Sequence, residues 1–188
     1  RAARLPRMAR NYRALHICAS DGSYEFKALP EDERLIGVID YAWGLGDQGR
    51  KHTVIGSGPI AGSFVPGSNR LVFCGWSPLW DTFFPSTMGG AGLPWEGIGA
   101  NFLALSGRAP QPVILHILNL KGRLSIELDP IDVEAVWRGH DDEIGVYALM
   151  HYVWQKHGAE CLSARVLAVG PAAARTRAGA ICSVPVRK

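Results

Sequence analysis

The chain of 188 residues carries 20 basic and 17 acidic side chains, with 47% hydrophobic and 20% charged residues. That balance sustains one buried core and excludes a chain disordered throughout. A net charge of +3 is too small to mark a nucleic-acid-binding surface. Apolar runs such as 113–118 are far shorter than the ~20 residues that span a bilayer, so no membrane-crossing helix is expected.

Part of the excess charge lies in the first ten residues, where Arg1, Arg4, Arg7 and Arg10 recur every third position. Residues 1–10 read as a basic tail, frayed or serving as a docking arm, ahead of a single domain over 11–188. The tail lacks the apolar run of a secretory leader. Cys18, Cys74, Cys161 and Cys182 are widely scattered and form no Cys-x-x-Cys pair, so no zinc ribbon or iron–sulfur ligand set is encoded. A reduced, cytoplasmic setting is expected, with these thiols as small buried hydrophobes.

Short apolar runs alternate with turn signals, and no internal repeat is evident. Residues 13–18 and 23–27 flank Asp21-Gly22, which predicts a hairpin, because this pair tolerates the positive backbone angles of a tight reversal. Pro30 then opens a predicted helix over 31–43, with acids at its start and Gly44 at its end. Strands are predicted at 52–56, 71–74, 101–106, 113–118 and 124–128, the last two joined by Lys121-Gly122. Asp129 suits the cap of a short helix with Pro130 in first position. A longer helix is predicted over 141–157, its acids at the start, with Ile144, Tyr147, Ala148, His151 and Tyr152 on the packed stripe and Gly158 as stop. Residues 162–169 and 180–186 complete the strands, the last weakened by Pro185. The fold class is α+β, β-rich, with two or three helices.

Few familiar catalytic patterns are present. The glycine-rich loop 57–62 follows a strand but lacks the Gly-Lys-Ser/Thr of a phosphate loop and the spacing of a dinucleotide site. A plain turn is the simpler reading. His151 and His157 are six apart on one predicted helix and point in different directions. No His-x-His or His-x-x-x-His chelate occurs, so packed or solvated histidines are expected. Neither Ser57 nor Ser77 sits in a Gly-x-Ser-x-Gly elbow. Two features are more specific: Arg70 stands at the start of a strand, and Thr87-Met88-Gly89-Gly90 follows. Small residues let a flat or phosphorylated ligand approach backbone amides, and an arginine matches a phosphate with paired N–H donors. A tight turn beside a surface arginine is the bland alternative.

Order and spacing add a further reading. The run from Val54 through Gly58-Pro59-Ile60-Ala61-Gly62 and Pro66 to Arg70 resembles the N-terminal domain of the aldehyde ferredoxin oxidoreductase family. Ser77-Pro78-Leu79, Met88-Gly89-Gly90 and Val166-Leu167-Ala168-Val169-Gly170-Pro171-Ala172 resemble later elements of that domain, in the same order. Residues 11–27 resemble its opening hairpin, so the likeness spans nearly the whole chain.

The resemblance implies a two-sheet domain that forms the base for a tungstopterin or molybdopterin cofactor shared with a partner chain. It implies that Arg70 contacts a pterin phosphate, while Thr87, Met88, Gly89 and Gly90 line the pterin and a phosphate-linked magnesium, largely through backbone groups. The family usually has Asn or Ser at the positions of Thr87 and Met88. Its later Arg-Ala-Ala-Gly-Arg-Gly-Gly segment has no counterpart before Lys188. The iron–sulfur [4Fe–4S] ligands and the residues around the metal are expected on a larger partner chain. The chain is therefore read as a cofactor-base subunit or a fragment, unable alone to turn over aldehydes. A structural or assembly subunit that keeps the fold without the cofactor is the alternative, and a plain α+β binding module with accidental likeness is a third. The aromatic set Trp76, Trp80, Phe83, Phe84 and Trp95 is expected to line a partner interface.

Overall fold

Gly22, at φ +74°, closes the predicted hairpin between β1 (Arg13–Cys18) and β2 (Tyr24–Ala28). The Asp21 carboxylate fixes the turn by accepting from the backbone N–H of Ser23 at 2.9 Å. The computed structural model describes residues 11–176 and 179–187, so the basic tail over 1–10 lies outside the described residues.

The hairpin forms one edge of a six-stranded sheet. Its other strands are β3 (His52–Gly56), β4 (Arg70–Ser77), β5 (Thr82–Gly89) and β6 (Phe102–Ser106), in the order β2-β1-β6-β3-β4-β5. β1 and β6 run parallel, and the other neighbours are antiparallel. Strand side chains alternate between faces, so this sheet carries two cores. On one face Ala14, Val54, Cys74, Phe102 and Ala104 pack against α1 (Val38–Gly44) through Val38, Tyr41 and Ala42. The Phe102 ring stacks on Tyr41 with centroids 4.9 Å apart. On the other face Leu15, Ile17, Leu71, Phe73 and Leu103 meet α2 (Gly92–Glu96) through Trp95. The hairpin of β7 (Ile114–Leu120) and β8 (Arg123–Asp129) covers the same face with Leu115, Ile117, Leu124 and Ile126.

A third cluster lies under α4 (Val146–His157), where Val153 meets Cys161 and Val186. There β9 (Arg165–Val169) pairs with β10 (Ile181–Pro185). Two further short helices, α3 (Val133–Arg138) and α5 (Ala172–Thr176), complete the set. The β-rich α+β architecture is the expected one. The described residues hold three sheets and five α-helices, because Gly- and Pro-punctuated stretches close single turns of helix that periodicity does not reveal.

Several local expectations differ from the structure. The first helix begins at Val38, not residue 31, because the Asp32 carboxylate accepts from the backbone of Arg34 and holds 32–34 in a turn. The helix after β8 is capped by Asp132, which accepts from the N–H of Ala135 at 2.9 Å. Asp129 is instead the buried last residue of β8. The long helix begins at Val146, and the acids before it form a turn in which Asp141 and Asp142 adopt φ +51° and +62°. Its packed side chains are Ala148, Leu149, Met150 and Val153, whereas Ile144 and Tyr147 are exposed. Cys74 and Cys161 are buried as expected, but Cys182 is exposed. Residues 82–89, not foreseen as a strand, form the sheet's outer edge with most side chains in solvent.

Candidate functional site

Arg70 is the first residue of β4 and stands opposite Gly89, the last residue of β5. The ladder therefore fixes the arginine beside the small pair. Its guanidinium reaches across the strand to Thr87 Oγ1 at 3.5 Å, so Arg70 and Thr87 share a face. Arg70 is exposed, and no carboxylate lies within ion-pair range of it among the described residues. Met88 points the other way and packs with Leu71 and Trp95 in the second core. Its side chain serves packing, and its backbone lies in the β4–β5 ladder opposite Leu71.

Gly89 is open: a Cβ added there meets nothing within 4 Å. Gly90 has φ +79°, a conformation that favours glycine. A Cβ on Gly90 would lie 3.2 Å from the guanidinium carbon of Arg165. Next in the chain, Gly92 presses against the backbone of residues 69–70, where an added Cβ would come within 2.7 Å of the Asn69 carbonyl carbon. That close approach locks α2 to the start of β4 and so sets where Arg70 emerges. The structure thus brings Arg70, Thr87, Gly89 and Gly90 together at one strand end. Arg165 joins them from β9, and no spacing in the sequence signals it, because only the third sheet's placement carries it there.

The glycine-rich loop forms a turn, with Ala61 N–H donating to the Gly58 carbonyl. Beside it Tyr12, Ser57, Glu96 and Asn101 line a shallow cavity of about 170 Å³. The Ser57 hydroxyl donates to Glu96 at 2.5 Å. The aromatic set is divided. Trp95 is buried and donates its indole N–H to the Asn101 carbonyl, because α2 turns it into the core. Trp80 and Phe84 are exposed and touch each other, with centroids 4.9 Å apart. Trp76 lies under the Arg50 guanidinium at 3.8 Å and donates to Asp81 at 2.7 Å.

A second polar cluster ties the β7–β8 hairpin to α4. Asp129 Oδ2 accepts from Tyr152 at 2.8 Å and Lys156 at 2.8 Å, and it meets His116 Nε2 at 3.1 Å. Burial works to raise the Asp129 pKa, but the bonds from Lys156, Tyr152 and His116 outweigh it and hold the carboxyl below its usual value. With Asp129 ionised, His116 Nε2 carries the shared proton, and its Nδ1 accepts from His157 at 3.1 Å. Burial pushes the His116 pKa down. His116 is buried, and the other five histidines are half-buried.

The chain matches the aldehyde ferredoxin oxidoreductase N-terminal domain over residues 46–185. It belongs to the aldehyde ferredoxin oxidoreductase family. A curated relative, glyceraldehyde-3-phosphate:ferredoxin oxidoreductase of Pyrococcus furiosus, is 41% identical over 143 residues, covering 73% of this chain and 22% of that protein. An uncharacterized protein of Methanocaldococcus jannaschii is 37% identical over 123 residues, covering 65% of this chain and 18% of the other. The chain thus spans about a fifth of the length of these relatives. The fold is similar to a chain of the benzoyl coenzyme A reductase active-site complex with 1,5-dienoyl-CoA, at a TM-score of 0.61 and 20% identity, covering 79% of this chain and 23% of that one. The aldehyde ferredoxin oxidoreductase domain here is sheet-rich, and among the described residues no helix is long and apolar enough to cross a membrane.

Proposed function

We propose that this domain is the base for a tungsten- or molybdenum-carrying pterin in an oxidoreductase acting on aldehydes or related carbonyl compounds. The observation that carries the reading is the strand end itself: an open Gly89 beside an exposed arginine with no described carboxylate partner, in a chain of this family. These residues fit an anionic, flat group. Glycine permits backbone approach, and the guanidinium matches a phosphate with paired donors.

When bound, the cofactor supplies two-electron chemistry at its metal. The residues of this chain bind and orient. Arg70 donates to a phosphate, Thr87 adds a hydroxyl on the same face, and Gly89 and Gly90 offer backbone groups. A magnesium on the phosphate would be held by backbone groups of the 87–90 segment. Oxidation of an aldehyde with water gives a carboxylate, protons and two electrons. A [4Fe–4S] cluster on the larger part of the enzyme, a partner chain or further domains in a cytoplasmic setting, would accept those electrons; this chain carries no Cys-x-x-Cys pair to hold one. Arg70→Ala is expected to lower tungsten or molybdenum content and released-pterin fluorescence about tenfold, the worth of a charge-assisted phosphate contact, with the far-ultraviolet circular dichroism unchanged. Unchanged metal content in that variant contradicts the assignment.

Packing of the partly buried Met88 side chain against the second core favours one second reading: a structural subunit that keeps the fold without the cofactor. Co-purification with a larger cysteine-bearing chain, in particles free of tungsten, molybdenum and pterin, identifies that case. In either reading the exposed pair Trp80 and Phe84 is a docking point for the larger part of the enzyme. Trp80→Ser with Phe84→Ser is expected to weaken that association at least tenfold, measured by sedimentation of the purified complex, as for anchors at an interface centre. Full retention of the complex removes the pair from the interface.

A further inference from the structure

We infer that Arg165 is a second cationic positioning residue of the anion seat at Gly89–Gly90, an inference that rests on the cofactor-base reading. From the position of a Cβ on Gly90, the Arg165 guanidinium carbon and its two terminal nitrogens lie at 3.2, 3.3 and 3.4 Å. Such near-equal distances place the flat face of the guanidinium against the glycine. Any side chain at position 90 would displace it.

The arginine is held there. Its Nε donates to Ser183 Oγ at 2.7 Å, and one terminal nitrogen faces the Ser183 carbonyl at 3.4 Å. The other terminal nitrogen, Nη1, has no hydrogen-bond acceptor among the described residues. Arg165 is half-buried, and no described carboxylate pairs with it. A half-buried cation without a counter-charge is costly unless an anion completes it. Arg70 reaches the same strand end from β4 and also lacks a described carboxylate partner. The glycine pair therefore lies between two positive groups from different sheets, one exposed beside Thr87, the other clamped by Ser183. Serine and glycine have distinct parts here: Ser183 sets the direction of the guanidinium, and Gly90 makes the room it lies in. A phosphate oxygen on the backbone of Gly89 or Gly90 would sit in the field of both arginines.

The test uses the protein purified under anoxic conditions with its cofactor and all associated chains. Tungsten and molybdenum content and released-pterin fluorescence are measured for Arg165→Gln, Arg165→Lys, Ser183→Ala and Arg70→Ala, together with the rate of cofactor loss against sodium chloride concentration. Arg165→Gln is expected to lower occupancy about tenfold and to flatten the salt dependence of loss. Lysine is expected to restore part of both, because it keeps the charge without the fork. Ser183→Ala is expected to lower occupancy less, and it reads the same contact if Arg165→Gln does not fold. Full occupancy and unaltered salt dependence in the folded Arg165 variant, with Arg70→Ala depleted, overturns this inference alone and leaves Arg165 a tie between β9 and β10. Full occupancy in both arginine variants overturns the underlying seat.

Discussion

Asp129→Ala is expected to cost about 3–5 kcal/mol of stability, the usual consequence of removing one member of a buried ion pair. The side chain of Asp129 is only 5% exposed, and it accepts from Tyr152 and Lys156 and pairs with His116. Alanine leaves all three donors facing a void. Lys156 keeps Glu127 at 2.7 Å, but that carboxylate is half in solvent and substitutes weakly. Urea unfolding of the full protein at pH 7 measures the loss. A cost below ~1 kcal/mol shows that water replaces the carboxylate and that the network does not anchor α4.

The same cluster predicts the acid limb of stability. The folded Asp129 pKa is depressed, so its contribution is present above the unfolded carboxylate value of about 4 and is lost as pH falls through the folded value. The folded His116 pKa is also depressed. The unfolded chain therefore takes up the proton first, and stability begins to fall below about pH 6.5. Both groups act in the same direction. Asp129→Ala removes the first contribution and, by freeing His116 of its carboxylate, leaves the histidine more costly still to protonate in place.

Gly92→Ala couples fold to site. The added carbon would lie 2.7 Å from the Asn69 carbonyl carbon and 2.9 Å from the Arg70 nitrogen. Both are backbone atoms, so no rotamer change relieves the contact. A loss of about 1–3 kcal/mol is expected from this overpacking. The displaced segment carries Arg70 into β4, so cofactor occupancy is expected to drop about tenfold or more, since a shift near 1 Å at a positioning group is enough to cost ~100-fold. Thermal unfolding and metal analysis on one preparation read the two effects. Lowered stability with full occupancy shows that Arg70 adjusts independently of its strand.

How far the sequence reached depends on which forces act locally. Asp21-Gly22 and Lys121-Gly122 specify their reversals with no help from the rest of the chain, and Gly22, Lys121 and Gly122 all adopt positive φ. Short apolar runs bounded by turn signals mark β1, β3, β4, β6, β7 and β8, because those strands bury one or both faces. β5 escaped notice: as an edge strand with an exposed pattern and Pro85 in its middle, it offers no alternation to read. Asp129 has the residue type and position of a helix cap, yet donors from β7 and α4 claim it, and Asp132 takes the cap. Arg70, Thr87 and the glycine pair were legible as a constellation, since one hairpin joins them. Arg165 was not, because it is distant in sequence and reaches Gly90 only through packing of the third sheet.

In the reading proposed here, the strand end at Arg70 and Gly89–Gly90 seats a metal-carrying pterin. The most direct measurement is the structure of the anoxically purified, cofactor-bearing particle. A pterin phosphate is expected within hydrogen-bonding distance of the Arg70 guanidinium and against the backbone of Gly89 and Gly90 (~2.7–3.2 Å). A loaded cofactor bound elsewhere, with this strand end covered by another part of the polypeptide, contradicts it.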